Sequence, residues 1–290
     1  PATNRLPYSK SYSAPGRSGA RRKRPWRKKK QPKLKVTFLG TGTSQGVPVI
    51  GCDCEVCQSP DPHDKRLRPS ILLQHHDLSL VIDTGPDFRQ QMLRAGVQKI
   101  EAVLLTHAHN DHIIGIDDVR PFNFRYRLDM PVYADPRVQA QLRERFAYIF
   151  AVDGYPGIPR LELRNIEKSK RFEVNGLSVL PIEVIHGRLP VLGFRFGDFT
   201  YITDAKYISE ASQDLIKGSK ILVLNALHHQ MHYSHFNLEE ALEMIAILQP
   251  ERAYLTHISH YMGLHREVNA QLPAGVQLAH DGLELEIDLA

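Results

Sequence analysis

The chain is built from short apolar runs, each cut off by polar residues or glycine. Lys33-Leu-Lys-Val-Thr-Phe-Leu39 alternates and then meets Gly40-Thr-Gly-Thr-Ser-Gln-Gly46. That reads as a strand running into a glycine-rich turn. No Lys-Ser/Thr pair follows at phosphate-loop spacing, so the turn is not a nucleotide loop. Ser70–Gln74 and Leu78–Asp83 read as a hairpin, with His76 and Asp77 near its turn. Asp87–Ala95 reads as a helix that Gly96 ends. Ala102–Leu105 is a buried strand, and Pro136–Phe150 a helix opened by proline.

The second half has the same texture. Strands are expected at Leu177–Ile185, Gly193–Phe196, Thr200–Thr203, Ile221–Leu224 and Ala253–Thr256. Leu238–Leu248 is a helix, and Val276–Ala279 with Leu283–Ile287 is expected to close the chain as a hairpin.

The chemistry stands at the ends of these runs. Directly after Ala102–Leu105 comes Thr106-His-Ala-His-Asn-Asp-His112, which holds four potential metal ligands: His107, His109, Asp111 and His112. Imidazole and carboxylate suit zinc, manganese or iron. His186, Asp204 and His257 each follow a further strand. Ligand types recurring at four strand ends point to one site in one α/β domain, because such folds place their chemistry at the carboxyl ends of strands.

The remaining composition refines this picture. The chain has 290 residues and ordinary hydrophobic content, 42%, so a sizeable core is available. No apolar stretch approaches the roughly 20 residues of a membrane span, and no signal-peptide apolar region opens the chain. The three cysteines all lie in Cys52-Asp-Cys54-Glu-Val-Cys57. An odd, clustered set is a poor disulfide framework and a good metal clip, which favours a reducing, cytoplasmic setting. Residues 1–33 hold 12 Lys or Arg and no acid. The formal net charge of +5 therefore leaves −7 for residues 34–290. The basic block repels itself and is expected to be a disordered tail, able to touch nucleic acid without specificity.

The order His-x-His-x-Asp-His, then His186, Asp204 and Thr256-His257, resembles the metallo-β-lactamase-fold hydrolases. Asp83 in Val81-Ile-Asp-Thr-Gly85 matches that superfamily's first short motif. Within it, Phe38–Pro48, the cysteine segment 51–57 and Leu255-Thr-His-Ile-Ser-His260 resemble the PhnP-like cyclic phosphodiesterases. The resemblance covers residues 34–290 and implies a four-layer αββα sandwich, with residues 1–33 outside it.

The resemblance also implies a ligand set. His107, His109 and His186 would hold one divalent ion, Asp111, His112 and His257 a second, and Asp204 would bridge them. Zinc or manganese would activate a bridging hydroxide. Cys52, Cys54, Cys57 and His260 would hold a structural zinc, with His63 as an alternative fourth ligand. Asp83 would support the metal ligands from behind. His235, at a helix entry, would serve as the general acid, although His228, His229 and His232 lie close by. His75, His76, His265 and His280 are expected to be ordinary surface or core histidines. The aromatics and arginines of Arg120–Arg127 are candidates for lining the substrate cleft.

The function expected on these grounds is a metal-dependent phosphodiesterase for a small cyclic or ester phosphate. A tRNase Z-like nuclease and a non-phosphate ester or thioester hydrolase are the alternatives. A homodimer is left open, and contact with nucleic acid through the tail is not favoured.

Overall fold

Alternation with a period of two runs through nearly every strand, and it sends each strand's side chains to two different cores. In Ile221–Asn225, for example, Ile221 and Val223 enter one cluster while Leu222 and Leu224 enter another. A strand buried on both faces needs layers on both sides. A computed structural model describes residues 33–151 and 156–289. The expected basic tail therefore lies outside the described residues, apart from Lys33.

Among the described residues there are fourteen strands: β1 Leu34–Gly40, β2 Ser70–His75, β3 Leu78–Ile82, β4 Ala102–Leu104, β5 Met130–Ala134, β6 Leu161–Asn165, β7 Phe172–Val174, β8 Leu177–His186, β9 Leu189–Phe196, β10 Phe199–Tyr201, β11 Ile221–Asn225, β12 Arg252–Thr256, β13 Val276–Leu278 and β14 Glu284–Ile287. The helices are α1 Glu55–Gln58, α2 Phe88–Arg94, α3 Asn110–Ile113, α4 Arg120–Tyr126, α5 Pro136–Arg145, α6 Glu210–Ile216, α7 Leu238–Leu248 and α8 His265–Gln271.

The strands form two seven-stranded sheets, β14-β1-β2-β3-β4-β5-β6 and β13-β12-β11-β10-β9-β8-β7. Each sheet is antiparallel at one side and parallel at the other, through β3–β6 and through β10–β13. The core between them takes Phe38, Leu80 and Leu104 from the first sheet and Phe194, Tyr201 and Val223 from the second. A second cluster packs α2 and α5 on the outer face of the first sheet. A third packs α6, α7 and α8 on the outer face of the second. This is the expected αββα sandwich.

Several local expectations are corrected. The closing pair Val276–Ala279 and Leu283–Ile287 is not a hairpin. β13 pairs parallel with β12, and β14 pairs antiparallel with β1 in the other sheet. The turn between them carries the chain across the sandwich, and Phe38 fixes it by bonding both Gly282 and Leu283. The helix from Pro136 stops at Arg145, because Phe146 leaves helical geometry at φ −114° and turns into the core. The glycine-rich turn serves close packing. A Cβ on Gly40 would stand 1.9 Å from the carbonyl oxygen of Arg68, so only glycine fits.

Candidate metal centre

His107 and His109 follow β4, Asp111 and His112 stand on the short α3 just beyond, and the other candidate residues stand where a strand ends and the chain turns sharply. Asp83 follows β3, Asp204 follows β10 after two residues, and His257 follows β12. All three adopt positive φ, at 64°, 50° and 57°. His186 ends β8 and is followed by Gly187 at φ 63°. The turns throw the side chains into one space at the rim of the sandwich. The sheets are tied together there: Leu192 of β9 donates to the Thr106 carbonyl at 3.0 Å, and Ile258 to that of Thr41 at 2.9 Å.

Hydrogen bonds fix which ring nitrogens face that space. His112 donates from Nδ1 to Asp83 Oδ2 at 2.7 Å. His186 donates from Nδ1 to the Ser234 carbonyl at 2.8 Å. Thr106 Oγ1 donates to Asp83 Oδ2 at 2.8 Å and so accepts from His107 Nδ1 at 2.9 Å. The Nε2 lone pairs of these three rings are thereby left to point inward.

The inward atoms cluster as a divalent cation requires. His107, His109 and His186 bring their ligand atoms within 4.8 Å of one another, and so do Asp111, His112 and His257. Asp204 lies between the groups, 3.3 Å from His112 Nε2 and 3.1 Å from His257 Nε2. It also forms a compact trio with His107 and His112, and another with His186 and His235. His112 Nε2 and both ring nitrogens of His257 are buried without a hydrogen-bond partner. Buried polar atoms normally have partners, so these orphans fit a metal at this position.

The electrostatics agree. Burial opposes charge on His257, yet Asp204 and Asp111 raise it to about 9. His112 is likewise driven well above its ordinary value, against burial, by Asp204, Asp111 and Asp83. Burial works against the Asp204 carboxylate, but His257 and His112 hold it well below the usual range. The carboxylates therefore demand cations in their midst, which is the demand divalent ions satisfy.

His235 is also brought to the centre. It is buried, its Nδ1 lies 3.8 Å from Asp204 Oδ1, and its ring centroid is 4.5 Å from those of both His186 and His257. Burial, then the neighbouring His257, pushes it down to about 2. Its neighbours make other bonds, although the His232 ring centroid lies 5.3 Å from that of His235. His229 Nε2 bonds the Met262 carbonyl at 2.8 Å, while His228 and His232 accept from the backbone N–H groups of Gln230 and Ser234.

A second cluster lies beside the first. His260 Nδ1 stands 3.4, 3.3 and 3.6 Å from the sulfurs of Cys52, Cys54 and Cys57. Bond lengths of about 2.3 Å to sulfur and 2.0 Å to nitrogen give a tetrahedral S···N edge of about 3.5 Å, so the four residues fit a zinc ion. His63 is not among them. It hydrogen-bonds Asp61 at 2.7 Å and packs against His265 and His280.

A cleft of about 500 Å³ opens on the first cluster, lined by His107, His109, Arg137, Gln141, Arg145 and Leu189 among others. The aromatics of α4 do not line it. Phe122 packs on the outer core and Phe124 is 61% exposed.

Sequence reasoning missed Thr106, Ser234 and Asn225, which orient the ligands or brace their loops. Asn225 holds the Asp204 turn by exchanging two hydrogen bonds with Ala205. A signal for threonine was present: Thr106-His107, Thr203-Asp204 and Thr256-His257 repeat one pairing. Thr203 donates to Asp204 at 2.6 Å, as Thr106 does to Asp83.

The chain is similar to known proteins. The β-lactamase superfamily domain model matches residues 79–258. The crystal structure of a diphosphatase from the PhnP family is 44% identical, with a TM-score of 0.83, covering 89% of this chain and 98% of that one. An octanoyltransferase of Porphyromonas gingivalis is 40% identical over 257 residues, 88% of this chain and 52% of that protein. The chain thus spans about half the length of that curated relative. The short form of human tRNase Z shares the fold at 19% identity, with a TM-score of 0.60, over 87% of this chain and 99% of that one. No described helix is long and apolar enough to cross a membrane.

Proposed function

The chain belongs to the PhnP family of the β-lactamase superfamily, and we propose that it is a divalent-metal phosphodiesterase acting on small cyclic or ester phosphates. The observation that carries this reading is the convergence of seven ligand-type side chains from four strand ends, with the Nδ1 atoms of His107, His112 and His186 already engaged. His107, His109 and His186 would hold one ion and Asp111, His112 and His257 the other. Asp204 would hold both, since a carboxylate has an oxygen for each. Divalent ions bound there lower the pKa of water and neutralise phosphoryl charge.

The residues around them have separate tasks. Asp83 and Thr106 hold His112 and His107 in one tautomer and one orientation. His235 stands 3.8 Å from Asp204 and would give a proton to the departing oxygen only once the negative charge of a bound phosphoester offsets the burial that keeps its ring neutral. Cys52, Cys54, Cys57 and His260 would hold a zinc, which would fix the loop after β1. Zinc or manganese suits the nitrogen and oxygen ligands of the first cluster, so three ions per chain are proposed. Residues 34–290 are proposed as the hydrolase domain.

The Porphyromonas relative's name favours a second reading, an acyl ester or thioester as substrate. The experiment assays the metal-loaded full chain on bis-p-nitrophenyl phosphate and on p-nitrophenyl octanoate. Turnover of the diester, abolished in Asp204→Ala with the melting temperature retained, is the expected result. Turnover of the octanoate alone would replace the phosphodiesterase with an acyl hydrolase.

A further inference from the structure

Among the described residues, the four most exposed large hydrophobic side chains are Ile50, Tyr233, Met231 and Tyr261, at 100%, 83%, 81% and 72%. All four stand on loops that carry candidate metal ligands or His235. Ile50 is two residues before Cys52, Met231 and Tyr233 precede His235, and Tyr261 follows His260. Large apolar side chains left in water together around a polar site mark a surface that binds something.

Tyr233 is exposed and yet seated. Its ring centroid lies 4.9 Å from that of His232, and a Cβ on Gly187 would stand 3.5 Å from its Cε2. Gly187 is the turn residue next to His186, so the tyrosine rests on the backbone of a ligand-bearing strand end. His232 is fixed in turn, because its Nδ1 accepts from the Ser234 N–H at 3.3 Å. Its ring lies 5.3 Å from that of His235, and His235 lies 4.5 Å from His257. A path of rings therefore runs from the buried cluster to the surface in the order His257, His235, His232, Tyr233. Burial, then His228, holds His232 below its ordinary value, so its ring is uncharged at neutral pH. Lys206, the cation that His232 feels, is paired with Glu240 at 2.5 Å. The outer end of this path offers ring faces rather than charge, and such faces favour offset or edge-to-face contact with another flat ring.

His235 is assigned the proton for the departing oxygen, so whatever that oxygen carries lies next along the path, against His232 and Tyr233. We propose that Tyr233 stacks on a flat ring carried by the departing alcohol, which makes it a specificity-determining residue. This rests on the phosphodiesterase reading above. It narrows the substrate class to diesters whose leaving alcohol bears an aromatic ring or heterocycle.

The test uses two diesters whose rings are equal in size, benzyl methyl phosphate and cyclohexylmethyl methyl phosphate, one ring flat and the other puckered. In the expected cleavage the hydroxide oxygen bonds to phosphorus, the P–O bond to the ring-bearing alcohol breaks, and that alkoxide takes the proton. The metal-loaded wild type releases benzyl alcohol and methyl phosphate, and it favours the benzyl ester. In Tyr233→Leu that preference, as a ratio of kcat/KM values, falls about 5–20-fold, mainly through KM, the range for one lost ring contact. Tyr233→Phe keeps it, because the flat ring stays. Phe124→Leu is the control: Phe124 is exposed on α4 and does not line the cleft, and the ratio stays. Equilibrium binding gives a second readout. Tyr233→Leu weakens benzylphosphonate, whose C–P bond resists hydrolysis, by the same factor relative to cyclohexylmethylphosphonate. A wild type indifferent to the flat ring, or an unchanged ratio in Tyr233→Leu, would overturn the contact while leaving the phosphodiesterase standing. Release of methanol from the benzyl ester would place the ring away from His235 and overturn the contact in the same way. No turnover of either diester by the wild type would overturn the phosphodiesterase, and the leaving-group contact with it.

Discussion

Asp83, Asp204 and His257 share a left-handed backbone that residues other than glycine seldom adopt. Each such position costs of order 1–3 kcal/mol and persists only where its surroundings enforce it. At these three positions the turn aims a ligand or its support into the site. The ligands themselves were legible because histidine and aspartate after an apolar run have no packing role. Their orientation was not, since it depends on Thr106, Ser234 and Asn225, which are ordinary residues in sequence. Asp83 carries the most orienting bonds, accepting from Thr106 N, Thr106 Oγ1 and His112 Nδ1. Asp83→Asn therefore should weaken metal affinity about 10–100-fold, measured by competition with a chelator. Affinity equal to wild type would leave Asp83 as a turn residue only. His235→Ala should lower turnover of an alkyl-leaving diester by about 10²–10⁴-fold. The loss should be smaller with p-nitrophenolate, which hardly needs a proton, and metal content should stay constant. An equal loss with both leaving groups points to phosphate binding, and loss of an ion would make His235 a ligand.

At the scale of elements, the site depends on two loops seated against one another. A Cβ on Gly85 would stand 2.1 Å from the carbonyl oxygen of Asp111. The segment after β3 therefore packs directly on the backbone of the metal-ligand loop, and Thr84 N bonds the His112 carbonyl at 2.7 Å. The cysteine loop is the other support. His260 lies three residues past His257, so a single segment after β12 reaches both clusters. Cys54→Ser should lower the melting temperature and release zinc, because a structural zinc contributes directly to folding. Hydrolysis should fall less than in Asp204→Ala. Unchanged melting and zinc content would remove the structural site. Helix α7 has the bounds expected from its apolar pattern, and Asn237 and Glu240 fix its start with a reciprocal capping box. The end of α5 was overrun, since apolar residues continue through Phe150 and only the turn at Phe146 breaks the helix. The final hairpin was misread because two short apolar runs beside a glycine look alike whether they pair with each other or with separate sheets.

At the scale of the molecule, the two sheets repeat one design, antiparallel on one side and parallel on the other, and the ligand-bearing strand ends meet at a shared rim. The layers were legible through the resemblance to the metallo-β-lactamase-fold hydrolases, and the strands buried on both faces agree with them. The pairing of β14 with β1 was not, because it joins residues about 250 apart that carry no mark of each other. The central claim is that two divalent ions held by this rim hydrolyse a phosphodiester. The most direct test strips the full chain with a strong chelator, restores the structural zinc, and titrates in zinc or manganese while following bis-p-nitrophenyl phosphate hydrolysis and bound metal together. The account predicts no turnover at the start and a rise that saturates at two further ions per chain. Saturation at one ion, or turnover in the stripped protein, would contradict it.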